Sequence, residues 1–183
     1  MGLQIEDGAG KGYSARVNDM NRLQTSAITE TTDRHQNESG RMWTIYFEVT
    51  PVGANDYFFY IENTGSETLH ITDIRISSSV ATQMKYHFVS GTPSYTTTKT
   101  ATTTTRNSNS SRVPTATIRD DTDITGLTSE GVIFFDQCAV ADTMYHLKTT
   151  SNVRIEPGGK FAIEKVAATG DVICNVSLVE VFE

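Results

Sequence analysis

The sequence predicts an all-β protein: a jelly-roll-like antiparallel β-sandwich with an extended N-terminal arm. Three observations carry that reading. Apolar residues alternate with polar ones at period two from Trp43 onward, with turn signals about every 8–12 residues, the pattern of a sandwich. No segment beyond that point shows a convincing amphipathic helical period. Ahead of it lie roughly forty polar, glycine-containing residues that cannot bury enough apolar surface to fold alone. Residues 1–41 are therefore read as arm and linker, and 42–183 as the sandwich.

In the lead, Gly8, Gly10 and Gly12 cluster and permit sharp backbone turns. Ala15 and Val17 share one face, Asn18-Asp19-Met20-Asn21 resembles a turn, and Leu23, Thr25 and Ala27 share a face again. That predicts a short hairpin or two extended segments lying on another surface. Val17, Met20, Leu23 and Ala27 also have near-helical spacing, but the surrounding Thr, Ser and Ile residues are poor helix formers. From Glu30 to Arg41 almost nothing is apolar.

Trp43, Ile45, Phe47 and Val49 form the first half-buried strand, closed by the turn Pro51 to Asp56. Tyr57 to Ile61 is aromatic on both faces, which places this strand centrally or at a subunit contact, with Tyr57, Phe58 and Tyr60 as oligomer-contact candidates. Leu69 and Ile71 then lie on one face and Ile74 and Ile76 on the other, so a bulge or a crossing between sheets is expected at Thr72-Asp73. Val80 to Phe88 alternates again.

Ser and Thr fill 14 of the 22 positions from 90 to 111, with no aliphatic side chain larger than Ala101. A long exposed loop over about 90–114 is expected, or an edge hairpin, since Thr has real β propensity. Short strands follow at Thr115 to Ile118, at Val132 to Phe135 (buried), and at Tyr145-Leu147 and Val153-Ile155. Glu156-Pro157-Gly158-Gly159 is a strong turn, Phe161 and Ile163 follow it, and the last strand carries Val172, Cys174, Val176 and Leu178 on one face.

At 183 residues the chain suits one domain with a good core. The apolar content of 37% and the mean hydropathy of −0.31 are low for a self-sufficient globule. Either some segments stay outside the core or a partner subunit completes it. The net charge of −7 argues against nucleic acid or an anionic membrane as main partner, because both reward clustered Lys and Arg. No stretch approaches the ~20 apolar residues that span a bilayer, and no Sec signal peptide is expected. Cys138 and Cys174 are expected to be buried free thiols.

The search for chemistry is brief. Gly8-Ala9-Gly10-Lys11-Gly12 is not a phosphate loop, since Ile5 stands where the first Gly belongs and Gly12 where a Ser or Thr should bind magnesium. Asp121, Asp123, Thr125 and Gly126 match the first half of a calcium loop, but Val132 occupies the place of the bidentate Glu. They form a weak calcium candidate beside an expectation of no metal and no cofactor. His35, His70, His87 and His146 are scattered among segments, and Glu48, Glu62, Glu164 and Glu180 sit in strands without an evident cleft. No catalytic residues stand out and no enzyme is expected. Trp43 and the aromatics from Tyr57 to Tyr60 leave a sugar-binding sandwich as a rival.

The run Ile5-Glu6-Asp7-Gly8-Ala9-Gly10-Lys11-Gly12-Tyr13, then Ala15-Arg16-Val17, Asn21-Arg22-Leu23 and Ala27-Ile28-Thr29-Glu30, resembles the opening of virion structural proteins of tailed bacteriophages. The chain looks like a head decoration (cement) protein of that kind; beyond Trp43 the likeness is architectural only. The resemblance implies a non-enzymatic protein on the capsid surface, made in the host bacterial cytoplasm. Its expected partners are the major capsid protein and itself, as a homotrimer. The arm would bind the capsid through Ile5, Tyr13, Arg16, Val17, Arg22, Leu23 and Ile28, as extended arms add strands to another protein's sheet edge. Repetition over a symmetric shell would supply avidity. The alternative is a tail, baseplate or fibre-attachment component whose sandwich meets a receptor or carbohydrate.

Overall fold

The computed structural model describes residues 16–17, 23–24, 37–97, 101–138, 140–167 and 169–181. The chain divides into two compact units, Met1–Thr31 and Thr32–Glu183. In the first, β1 (Arg16–Val17) pairs antiparallel with β2 (Leu23–Gln24), Val17 opposite Leu23. The antiparallel pairing agrees with the short hairpin expected here, while Asn18 to Asn21 lie outside the described residues.

Among the described residues the second unit has nine strands. They are β3 (Met42–Val49), β4 (Asp56–Asn63), β5 (Thr68–Ser78), β6 (Thr82–Tyr95), β7 (Thr102–Thr105), β8 (Ala116–Cys138), β9 (Tyr145–Ile155), β10 (Lys160–Lys165) and β11 (Val172–Val181). One sheet has five strands in the order β7-β3-β11-β5-β9. The other is a closed roll, β10-β4-β8-β6. All pairings are antiparallel, and each strand from β4 to β11 lies in the sheet opposite its predecessor.

The main core fills the space between the sheets. Trp43, Ile45, Phe47 and Val49 come from β3, and Val172, Cys174, Val176 and Leu178 from β11, as the period-two pattern requires. Phe47 of one sheet stacks on Phe59 of the other with ring centroids 4.5 Å apart and planes 7° from parallel. Thr72 is skipped in the pairing of β5 with both neighbours, so it is the bulge that returns Ile74 and Ile76 to the same core as Leu69 and Ile71. Cys138 and Cys174 are buried free thiols, and burial pushes the Cys174 thiol up.

A second, smaller core lies inside the roll. Each of its four strands contributes one fully buried residue: Tyr60 from β4, Val89 from β6, Ile124 from β8 and Ala162 from β10. Ile124 closes the roll, because it is the pairing partner of both Tyr57 on β4 and Tyr95 on β6. A bulge at Phe58 makes the two cores compatible. It is skipped in the ladder between Tyr57 and Phe59, so Phe58 and Phe59 both reach the main core while Tyr57 and Tyr60 both reach the roll.

Several boundaries differ from expectation. The segment read as Thr115 to Ile118, an acidic turn and Val132 to Phe135 is one strand of 23 residues. Its first part pairs with β4 and its remainder with β6, which buries or satisfies a backbone whose polar residues resemble turns. The Ser/Thr tract is not all loop: it supplies the end of β6 and the edge strand β7, whose Thr side chains alternate exposed and half-buried against β3. The two short strands around residue 150 are one strand, β9, whose pairing with β5 skips residues 149–152. The Glu156 to Gly159 turn stands, with Gly159 N–H donating to Glu156 O at 2.7 Å and Gly158 at φ 76°. That is the type II geometry that wants Pro before Gly.

Candidate functional site

Of the arm residues singled out in the sequence, Ile5, Tyr13, Arg22 and Ile28 lie outside the described residues. Arg16, Val17 and Leu23 lie in the β1–β2 hairpin. Phe58 and Tyr60 are corrected as oligomer contacts: both are 0% exposed, sealed in the two cores of one chain. The aromatic character on both faces of β4 reflects its central place between β10 and β8, the other expectation for this strand. Tyr57 is half-buried at the edge of the roll.

The calcium reading is also corrected. Asp121, Asp123 and Thr125 sit in continuous strand β8, without the loop such a site needs. Both oxygens of the buried Asp121 carboxylate are already engaged. Oδ1 accepts from Thr96 Oγ1 at 2.6 Å, Thr97 Oγ1 at 3.0 Å and Thr122 N at 2.6 Å, and Oδ2 accepts from Thr97 N at 2.8 Å. Burial alone would raise its pKa, but these bonds outweigh burial and hold it below the ordinary aspartate value. Asp123 is pushed up by burial, then by Asp56 and Asp121. Among the described residues no three His, Cys, Asp or Glu side chains gather as metal ligands.

Two features of the roll's outer side do stand out. The first is the far edge of β8. From Thr125 to Cys138 this strand pairs with β6 alone, leaving its other edge open among the described residues. Two residues of the run expected to be buried are not: Val132 is 48% and Ile133 37% exposed, while Phe134 turns in against Tyr86 with ring centroids 4.4 Å apart. The β8–β9 connection adds exposed Val140 and Met144. The edge is thus apolar where a lone sheet edge is ordinarily charged or covered.

The second feature is a polar cluster at the same level of the roll. His87, 3% exposed, projects from β6 toward two neighbouring strands. Its Nδ1 is 2.8 Å from Ser129 Oγ on β8, and its Nε2 is 2.9 Å from Glu164 Oε2 on β10. The ring N–H points off the line to Glu164, so this second contact is electrostatic pairing more than a hydrogen bond. Lys85 Nζ approaches Glu164 Oε1 at 3.1 Å, and the Tyr57 ring meets the imidazole edge-on at 5.3 Å. Burial holds the His87 pKa below the ordinary value, with Lys85 adding to the effect and Glu164 opposing it. Burial, then Glu164, raises Tyr57.

Bulges in β8 aim Ser129 at the imidazole. Glu130 and Ile133 are both skipped where β8 runs past Tyr86 to Val89, and Gly131 between them has φ 138°. Gly131 N–H donates to Ser129 Oγ at 3.1 Å. Sequence reasoning missed the cluster. Ser129 and His87 are 42 positions apart, and the available signal was that Lys85, His87 and Glu164 all fall at polar positions of apolar strands.

A cleft of about 490 Å³ lies nearby, between β6, β8 and the β9–β10 turn. Phe88, Glu130, Arg154 and Lys160 are among its walls, with Gly158 and Gly159 at the turn. Comparison with known proteins adds nothing to this geometry: no family, curated protein or solved structure matches the chain.

Proposed function

We propose that this chain is a structural protein of a tailed-bacteriophage virion that decorates and stabilises the capsid. We read its sandwich as a jelly roll, the architecture that successive strands alternating between two sheets produce and one that capsid domains use. Its partners on this reading are the major capsid protein and further copies of itself, as a homotrimer on the capsid surface. The hairpin-bearing first unit serves as the anchor, consistent with the resemblance of its sequence to phage virion proteins. The capsid role itself is mechanical and needs no catalysis.

The observation that carries the proposal is the open apolar edge of β8. Val132 and Ile133 face solvent on a strand with one side unpaired among the described residues. Such an edge favours a protein partner that adds a strand or covers the patch.

Cosedimentation with empty phage heads tests it. The full chain should pellet with heads, and both V132D/I133D and deletion of residues 1–30 should abolish pelleting while the sandwich stays folded. Undiminished binding by both variants would overturn the proposal. The charged cleft beside Phe88 favours a second reading, a tail or baseplate component whose sandwich meets carbohydrate. Glycan binding lost in R154A, with no binding to heads, would select it.

A further inference from the structure

Independently of the virion reading, the cluster on the roll has the layout of an activated nucleophile. A serine hydroxyl, an imidazole and a carboxylate stand in series: Ser129 Oγ to His87 Nδ1 at 2.8 Å, then His87 Nε2 to Glu164 Oε2 at 2.9 Å. We propose that Ser129 is a nucleophile, with His87 as its base and Glu164 as the group that positions the base, acting on small acyl esters carried by larger molecules. This departs from the expectation of a chain without catalysis.

The protonation pattern follows from the neighbours. Glu164 beside Nε2 favours the tautomer with its proton there, which leaves the Nδ1 lone pair for the Ser129 hydroxyl. Burial keeps the imidazole neutral near pH 7, the form a base requires. His87 is buried, yet Ser129 is exposed, so the hydroxyl is accessible while its base is shielded. A Cβ built at Gly131 would meet nothing within 4 Å, so there is open space next to the hydroxyl. That surface setting admits an ester on a large carrier. Tyr57, whose ring meets the imidazole, has its phenol oxygen within hydrogen-bonding reach of the same serine.

The step balances within these residues. Ser129 Oγ forms a bond to the carbonyl carbon as its proton passes to His87 Nδ1. The bond from that carbon to the leaving oxygen breaks, and the alcohol departs with the proton from His87, leaving acyl-Ser129. Water repeats the sequence and releases the acid.

A fluorophosphonate probe tests the nucleophile on the full chain. At pH 7.5 one adduct is expected by intact mass, mapping to Ser129, with fluoride as leaving group. 4-Nitrophenyl acetate should leave an acetyl group on the same residue. S129A, altered at an exposed position, should stay folded and take no label. H87N should label about a hundredfold more slowly, the scale of a lost general base. Should H87N fold poorly, E164Q keeps the buried ring in place and should slow labelling as well. The rate should fall as pH drops below the ordinary histidine value, since protonating the imidazole, which Tyr57, Lys85 and Glu164 face, removes the lone pair that accepts the Ser129 proton. No adduct at Ser129, or equal rates in wild type, H87N and E164Q, overturns the proposal; capsid binding is a separate readout.

Discussion

Replacing Asp121 by Asn isolates the bond set that ties the Thr96-Thr97 segment to strand β8. The change is nearly isosteric, so packing is preserved and only charge and acceptor capacity are lost. An Asn that keeps its oxygen in the Oδ1 place can still accept from Thr96, Thr97 Oγ1 and Thr122, but turns an N–H₂ toward the Thr97 N–H that Oδ2 now accepts at 2.8 Å. One charge-assisted bond is lost outright and the others lose their charge assistance. Bonds to charged groups contribute about 1.5–3 kcal/mol each, so the substitution should cost ~3 kcal/mol. In a domain of this size that is about 6–12 °C in Tm. Thermal melts followed by circular dichroism at pH 7 provide the assay. The pH dependence supplies a second check. Because the folded-state pKa of Asp121 is depressed, its contribution is fully present above the ordinary aspartate value and is lost as pH falls through the lower folded value. The gap between wild type and D121N should therefore close below about pH 4. Equal melting at pH 7, or a gap that persists unchanged in acid, would refute the reasoning.

Phe59→Ala removes one half of the inter-sheet stack with Phe47 and should cost about 3–5 kcal/mol, read as a lower urea midpoint. The depressed pKa of His87 makes its contribution to stability complete above the ordinary value of about 6.5 and lost as pH falls from there. The urea midpoint of the wild type should consequently drop between about pH 7 and pH 5 by more than that of H87N.

Local rules account for much of this fold and little of the cluster. The parity change at Thr72-Asp73 shows in the sequence because a bulge is the cheapest way to return Ile74 and Ile76 to one core, and the Pro157-Gly158 turn because its dihedral angles demand those residues. Strand β8 is hidden for the converse reason. Asp120 to Asp123, Gly126 and Gly131 resemble turn residues, and only tertiary partners, Thr96 and Thr97 for Asp121 and β6 for the rest, make an extended path favourable. The solvent-facing side of Val132 and Ile133 is likewise invisible to periodicity, because an apolar run has the same pattern whether its cover is its own chain or another. His87, Ser129 and Glu164 meet only because three strands become neighbours, and no local spacing encodes that.

The position of β11 has a consequence for the order in which the five-stranded sheet can form. It follows β3 to β10 in the chain, yet it is the middle strand, hydrogen-bonded to β3 on one side and β5 on the other. Until it docks, the apolar faces of β3 and β5 have no strand between them, so any state without a paired β11 is incomplete and aggregation-prone. Deleting β11 should therefore yield inclusion bodies in place of a smaller soluble domain.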